Sequence, residues 1–199
     1  MRHKNLFLTL IAATAILGCA KKDSPDADST AMAPSEPAGV TADTMGTMAG
    51  MDNTPARDAD QEFLRMMTDH HQGMVEMADV ALKKAATPKI KAHATRMRAA
   101  QVAEQQKMKA MLKADYGEDK MAMVSQSGAS MVTMLSGASG AAFDRQFREH
   151  VIMHHEEALK MIDRFSPRFT KPEVKQMASK MKADQTKEIA ELKKELKSS

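Results

Sequence analysis

The chain has 199 residues, with 29 Lys+Arg against 26 Asp+Glu, a formal net charge of +3, 20 methionines, one cysteine, one tyrosine and no tryptophan. A single cysteine excludes any intramolecular disulfide, and the lack of a basic patch interleaved with aromatics leaves no nucleic-acid partner to expect. With aromatics this scarce, Met, Leu, Ile, Val and Phe have to fill the core, and no β pattern competes with the helical one.

Residues 1–18 read as an address. Arg2 and Lys4 give a positive end and 6–17 is apolar. A run of about 12 residues is too short to span a bilayer, which points to a cleaved signal. Its close, Ile16-Leu17-Gly18-Cys19, resembles the lipobox of bacterial lipoproteins. That resemblance implies cleavage before Cys19 and lipidation of its sulfur. The protein would then be anchored to a membrane of the bacterial cell envelope, facing the periplasm or the outside. The competing reading is an ordinary signal peptide with an incidental cysteine. If Cys19 is acylated no thiolate remains, and a soft metal site must use Met and His, which stay usable in an oxidising envelope.

Residues 19–57 are rich in Ala, Asp, Ser, Thr, Pro and Gly without a sustained apolar period, as in a disordered tether. Met45, Met48 and Met51 recur there every third residue. They are either low-complexity drift or a flexible thioether clamp that hands a soft cation to the folded part.

The folded part is expected over 58–197. Helices are predicted at about 58–86, 88–115, 141–165 and 171–196. Thr87-Pro88, Gly117 and Ser166-Pro167 supply the breaks. The segment 116–140 reads as a Ser/Gly/Ala/Met linker holding a short apolar piece at 131–135. The two αα-hairpins, 58–115 and 141–197, repeat one another at an offset of 84, with 15 of 53 aligned pairs identical between 60–112 and 144–196. Phe63 matches Phe147, His70-His71 match His154-His155, Met97 matches Met181, Gln101 matches Gln185 and Glu104 matches Glu188. The fold class that follows is all-α, a ferritin-like four-helix bundle with pseudo-twofold symmetry.

On a helix at about 100° per residue, Phe63, Met67, Met74, Ala78 and Ala81 share one arc, with His70 and His71 roughly 50° to either side of its middle. Each imidazole then faces a different neighbouring helix, with Met66 and Met74 one turn and Met77 two turns from His70. The second half presents His150, His154, His155 and Met161. The second and fourth helices add His93 with Met97 and Met177 with Met181. Thioether and imidazole without thiolate or clustered carboxylates favour a soft or borderline late metal, copper first. Zinc does not call for so many sulfurs, and calcium or magnesium would need an oxygen cage. A di-iron bundle needs Glu three residues before its histidines; here those positions are Met67, Thr68, Ile90, Phe147, Val151 and Ile152. Gln101, Glu104, Gln185 and Glu188 are candidate acceptors for the imidazole N–H groups, or else a solvated edge or an interhelical hydrogen bond.

The pattern Phe63…Met67-x-x-His70-His71-x-x-Met74…Met77-Ala78, followed by Ala94…Gln101…Glu104, resembles the domain of unknown function 305 family. Phe143-Asp144-Arg145-x-Phe147…His154-His155…Ala158…Met161 with Gln185…Glu188 repeats the resemblance. It implies a ferritin-like bundle in the bacterial envelope, associated in some members with copper binding and tolerance. The second copy departs from the pattern. Glu156-Glu157 stand for Gln-Gly, and His150 and Val151 for two methionines, so the two sites are expected to differ.

The expected function is binding of copper, chiefly Cu(I) with silver as surrogate, to sequester it or pass it to an envelope trafficking partner, without turnover. Two other readings stay open: a redox enzyme using bound copper, and a metal-free scaffold whose Met-rich groove binds partner helices.

Overall fold

The computed structural model describes residues 54–198, and these hold five α-helices, one 3-10 turn at Ser166–Arg168 and no strand. The segment 1–18, Cys19 and the tether methionines Met45, Met48 and Met51 lie outside the described residues. The helices are α1 (Ala59–Lys84), α2 (Pro88–Tyr116), α3 (Gln126–Gly137), α4 (Gly140–Phe165) and α5 (Pro172–Lys197). None is long and apolar enough to cross a membrane.

The first two helices are bounded by local signals. Asp58 caps α1 by accepting from Gln61 N at 2.8 Å, and the Gln61 side-chain oxygen accepts from Arg57 N at 2.8 Å, one residue before the cap. Thr87 caps α2, with Pro88 in its first turn. Gly117, at φ 71°, ends α2 in the left-handed conformation that lets its own N–H and that of Glu118 reach the carbonyls of Lys113 and Leu112.

The four long helices form the expected bundle, α1 packing on α2, α4 on α5, and α1 on α4. Two apolar clusters show that α1 and α4 run antiparallel. One joins Met74, Met77, Ala78 and Ala81 late in α1 to Phe143, Phe147 and Val151 early in α4. The other joins Phe63, Leu64 and Met67 early in α1 to Ala158, Ile162 and Phe165 late in α4. Between them lies a polar waist.

The halves are also tied by exchanged carboxylates. Asp144 at the start of α4 accepts from Ala86 N at 2.8 Å, Thr87 N at 3.0 Å and the Thr87 hydroxyl at 2.6 Å, closing the α1–α2 turn. Asp60 at the start of α1 accepts from Thr170 N at 2.9 Å, the Thr170 hydroxyl at 2.5 Å and Lys171 N at 3.3 Å, closing the turn before α5. Each repeat thus caps the other's hairpin, and both carboxylates are buried.

The segment read as a linker contains α3, which packs against α1 and α4. A helix of this length is marginal alone. It forms because Met131 and Leu135 bury into the first apolar cluster. Its approach to α1 is close. A Cβ on Gly73 would stand 3.1 Å from the Gly128 Cα and 3.5 Å from the His154 Nε2, so the two backbones meet at glycine beside an imidazole.

Candidate metal centre

The waist is built from the two histidine pairs. His70 and His154 stack where α1 crosses α4, ring centroids 3.7 Å apart and planes at 36°. His154 Nε2 is 2.9 Å from the His70 carbonyl oxygen. A carbonyl only accepts, so Nε2 carries the proton. His71 and His155 turn the other way, toward α2 and α5. His71 Nε2 donates to Glu104 Oε2 at 2.9 Å and His155 Nε2 donates to Glu188 Oε2 at 2.8 Å. The same bond is made in both halves.

These bonds fix the tautomer. With the proton on Nε2, Nδ1 of His71, His154 and His155 keeps its lone pair, and each of those Nδ1 atoms is buried without a hydrogen-bond partner. Both ring nitrogens of His70 are likewise unpartnered, as is Nδ1 of His150. A buried polar atom left unpaired costs about 1–3 kcal/mol. One stranded nitrogen is unremarkable. A set of them in one layer is what a cation-binding surface looks like before its cation arrives, and a carboxylate behind the imidazole is the usual support for a ligating ring.

At His71, His150 and His154 burial favours the neutral, ligating form. Burial pushes the His71 pKa down, with Glu104 opposing it in part. His154 is held well below the ordinary histidine value, by burial first and then by the neighbouring His70 and His155. Burial also lowers His150. The His70 imidazole beside Glu157 holds that carboxyl below its usual value, although Glu157 Oε2 stands 3.7 Å from His70 Nε2, beyond hydrogen-bond reach.

The predicted thioethers sit on both sides of the waist. Met74, Met77 and Met97 belong to the first apolar cluster, and Met67 and Met181 to the second, with half-buried Met66, Met161 and Met177 packed against it. Among the described residues no three His, Cys, Asp or Glu side chains converge on one point. A cation at the waist therefore has to draw on thioether sulfur as well as imidazole.

His93 is placed differently from the other predicted ligands. Its Nε2 reaches Glu195 at 3.2 Å and its Nδ1 accepts from Arg96 at 2.9 Å, so both nitrogens are engaged. It lines a cleft of about 660 Å³ between α2 and α5, together with Gln101, Glu104, Gln185 and Glu188. Glu104 and Glu188 are the imidazole acceptors. Gln101 and Gln185 are buried with their amide oxygens unpartnered, and neither bonds an imidazole.

Sequence reasoning missed several residues around the waist. Glu157 sits beside His70, and Ser127 of α3 reaches Glu157 at 3.4 Å. Asp69 lies next to His70 and anchors the chain that follows α2, through Met123 N at 2.8 Å and Lys120 Nζ at 2.8 Å. Asp60 and Asp144 had a signal: they are an identical pair opening the repeat alignment.

The family model described as Domain of unknown function (DUF4142) matches residues 46–195. The chain belongs to that family. Among solved structures it is similar to CopM in its Cu(I)-bound form, with 29% identity over 70% of this chain and 96% of that one and a TM-score of 0.62. CopM has also been solved in Cu(II)-bound and Ag-bound forms. A DUF305 fragment from Deinococcus radiodurans matches with 23% identity over 73% of this chain and all of that one (100%), TM-score 0.64. A DUF305 protein from Streptomyces coelicolor matches with 20% identity, covering 69% of this chain and 91% of its own length, TM-score 0.62. The last two share the fold, which supports the resemblance to the domain of unknown function 305 family. No curated protein matches the chain.

Proposed function

We propose that this chain binds copper at the waist, chiefly as Cu(I), and buffers it or passes it to a trafficking partner in the bacterial envelope, without turnover. Cys19 would carry the lipid that anchors it to the membrane. The observation that carries this reading is the duplicated Glu104–His71 and Glu188–His155 bond, which leaves a buried Nδ1 lone pair without a partner in each half. Methionines on either side of that layer offer the thioether sulfur that Cu(I) prefers. The likeness to CopM, solved with Cu(I), Cu(II) and Ag, supports the class of metal. Silver should serve as a redox-silent stand-in for Cu(I).

The test is competition of the 54–199 domain against a colorimetric Cu(I) chelator, repeated with His70, His71, His154 and His155 all changed to Ala. The reading expects saturable withdrawal of Cu(I) from the chelator, with most of the affinity lost in the variant. Undiminished binding by the variant would make the imidazoles structural and overturn it.

A further inference from the structure

The chain between α2 and α3, residues 117–125, is held across α1 by named contacts. It leaves α2 at left-handed Gly117 and ends at Ser125, the cap of α3. Glu118 accepts from Arg65 Nε at 2.7 Å and from Gln61 Nε2 at 2.8 Å. Buried Asp69 then accepts from Lys120 Nζ and from Met123 N, both at 2.8 Å. This strap cannot drift away from α1 without stranding a buried carboxylate.

The strap and α1 enclose a cleft of about 760 Å³, and into it come three sulfur-bearing side chains: Met66 from α1, and Met121 and Met123 from the strap. The charged groups around them are already satisfied, Arg65 by Glu118 and Lys120 by Asp69. The thioethers have no comparable partner. Met121 is 78% exposed, the most exposed large apolar side chain among the described residues, while Met66 and Met123 are half-buried. Methionine has three rotatable bonds and a polarisable sulfur, so thioethers that line one cleft are free to turn toward a soft ion.

We propose that Met66, Met121 and Met123 form an outer site for a soft monovalent cation, Cu(I) or Ag(I), separate from the waist. The identity of the cation rests on the copper reading above; the site itself does not depend on the waist imidazoles. It leads toward them. Met66 lies one turn before His70 on α1, lining the cleft while packing on the second apolar cluster, and both ring nitrogens of His70 lack a partner. The site belongs to the first half only. At the offset of 84, Asp69 becomes Met153, which cannot accept a backbone N–H, and Met66 becomes His150.

The test is titration of the full chain with silver nitrate, followed by the methionine methyl resonances. Single Met→Leu variants assign them, since leucine keeps the bulk and removes the sulfur. The expected result is a joint, saturable shift of the Met66, Met121 and Met123 methyls, retained in the chain lacking the four waist histidines. The Met121→Leu/Met123→Leu variant changes only the strap, so the core is spared; it should bind one equivalent of Ag(I) fewer while the waist imidazoles still respond. If that variant keeps its full complement of Ag(I), or the three methyls stay still while the waist responds, the outer site is wrong and the waist reading stands. If neither responds, both fall.

Discussion

The two halves share a scaffold and differ in the side chains placed on it. Asp60 and Asp144 close each other's hairpins, Glu104 and Glu188 hold equivalent imidazoles, and Phe63 and Phe147 fill equivalent core positions. Around the histidines the match breaks. Met66, Met74 and Gly73 in the first half stand where the second has His150, Ala158 and Glu157. The parts that set geometry are duplicated, whereas the parts that set ligand chemistry have diverged. The first half offers sulfur and the second offers nitrogen and oxygen. On ligand softness, the first half should prefer Cu(I) and the second should tolerate Cu(II) better.

Breaking the shared scaffold should produce the largest effect, of similar size in both halves although Asp60 bonds through one oxygen and Asp144 through both. Asp144→Ala strands three donors at the α1–α2 turn and Asp60→Ala strands three at the other. Each should cost about 2–4 kcal/mol in urea unfolding of the apo chain, as for a buried charged acceptor removed from its donors. A markedly smaller loss from Asp60→Ala would mean the clamps are not equivalent.

A change on the asymmetric side should be smaller and one-sided. Gly73→Ala drives a Cβ to 3.1 Å from the Gly128 backbone, which cannot yield as a side chain could, and should cost about 1–3 kcal/mol by pushing α3 off α1. Glu157→Gly at the equivalent position should leave α3 docked, and proteolysis of the 126–137 segment distinguishes the two.

Removing the carboxylate behind an imidazole should weaken metal binding by about 10–100-fold, as other supports of a ligating histidine do. In Cu(I) competition Glu104→Gln should have the greater effect, and in Cu(II) titration Glu188→Gln. Equal losses for both ions would erase the distinction between the halves.

The smallest effect is on acid sensitivity. His71 and His154 have depressed values in the fold, so the unfolded chain protonates first. Their contribution to stability is whole above about pH 6.5 and is lost as pH falls from there through the folded-state values, by up to about 1.4 kcal/mol per pH unit for each group. His154 faces His70, His155 and His71 with only a carbonyl bond opposing its shift, while His71 has Glu104 to offset burial. Urea midpoints at pH 7.5 and 5.5 should therefore converge more in His154→Asn than in His71→Asn.

What could be read from the sequence was whatever the duplication wrote twice. The doublets at His70-His71 and His154-His155 sit on the inner margins of equivalent helices, and Glu104 and Glu188 meet an imidazole as one of their two expected roles. What could not be read depends on tertiary contact between unlike segments. The α3 helix is hidden by a Ser- and Gly-rich composition and exists because Met131 and Leu135 find the core. The i, i+4 spacing of His93 and Met97 carries no trace of Glu195, roughly a hundred positions on, which takes up the His93 Nε2. Glu157 stands beside His70 only because α4 crosses α1 there.

The proposal at stake is that the buried, unpartnered Nδ1 atoms of the waist hold a soft cation. It is tested most directly by ¹⁵N resonances of the ring nitrogens during Ag(I) addition. Nδ1 of His71 and His155 should shift and acquire coupling to silver, while each Nε2 keeps its proton and its bond to Glu104 or Glu188. If Nδ1 is unmoved at saturation, or if Nε2 loses its proton to the metal instead, the waist is packing and the account is contradicted.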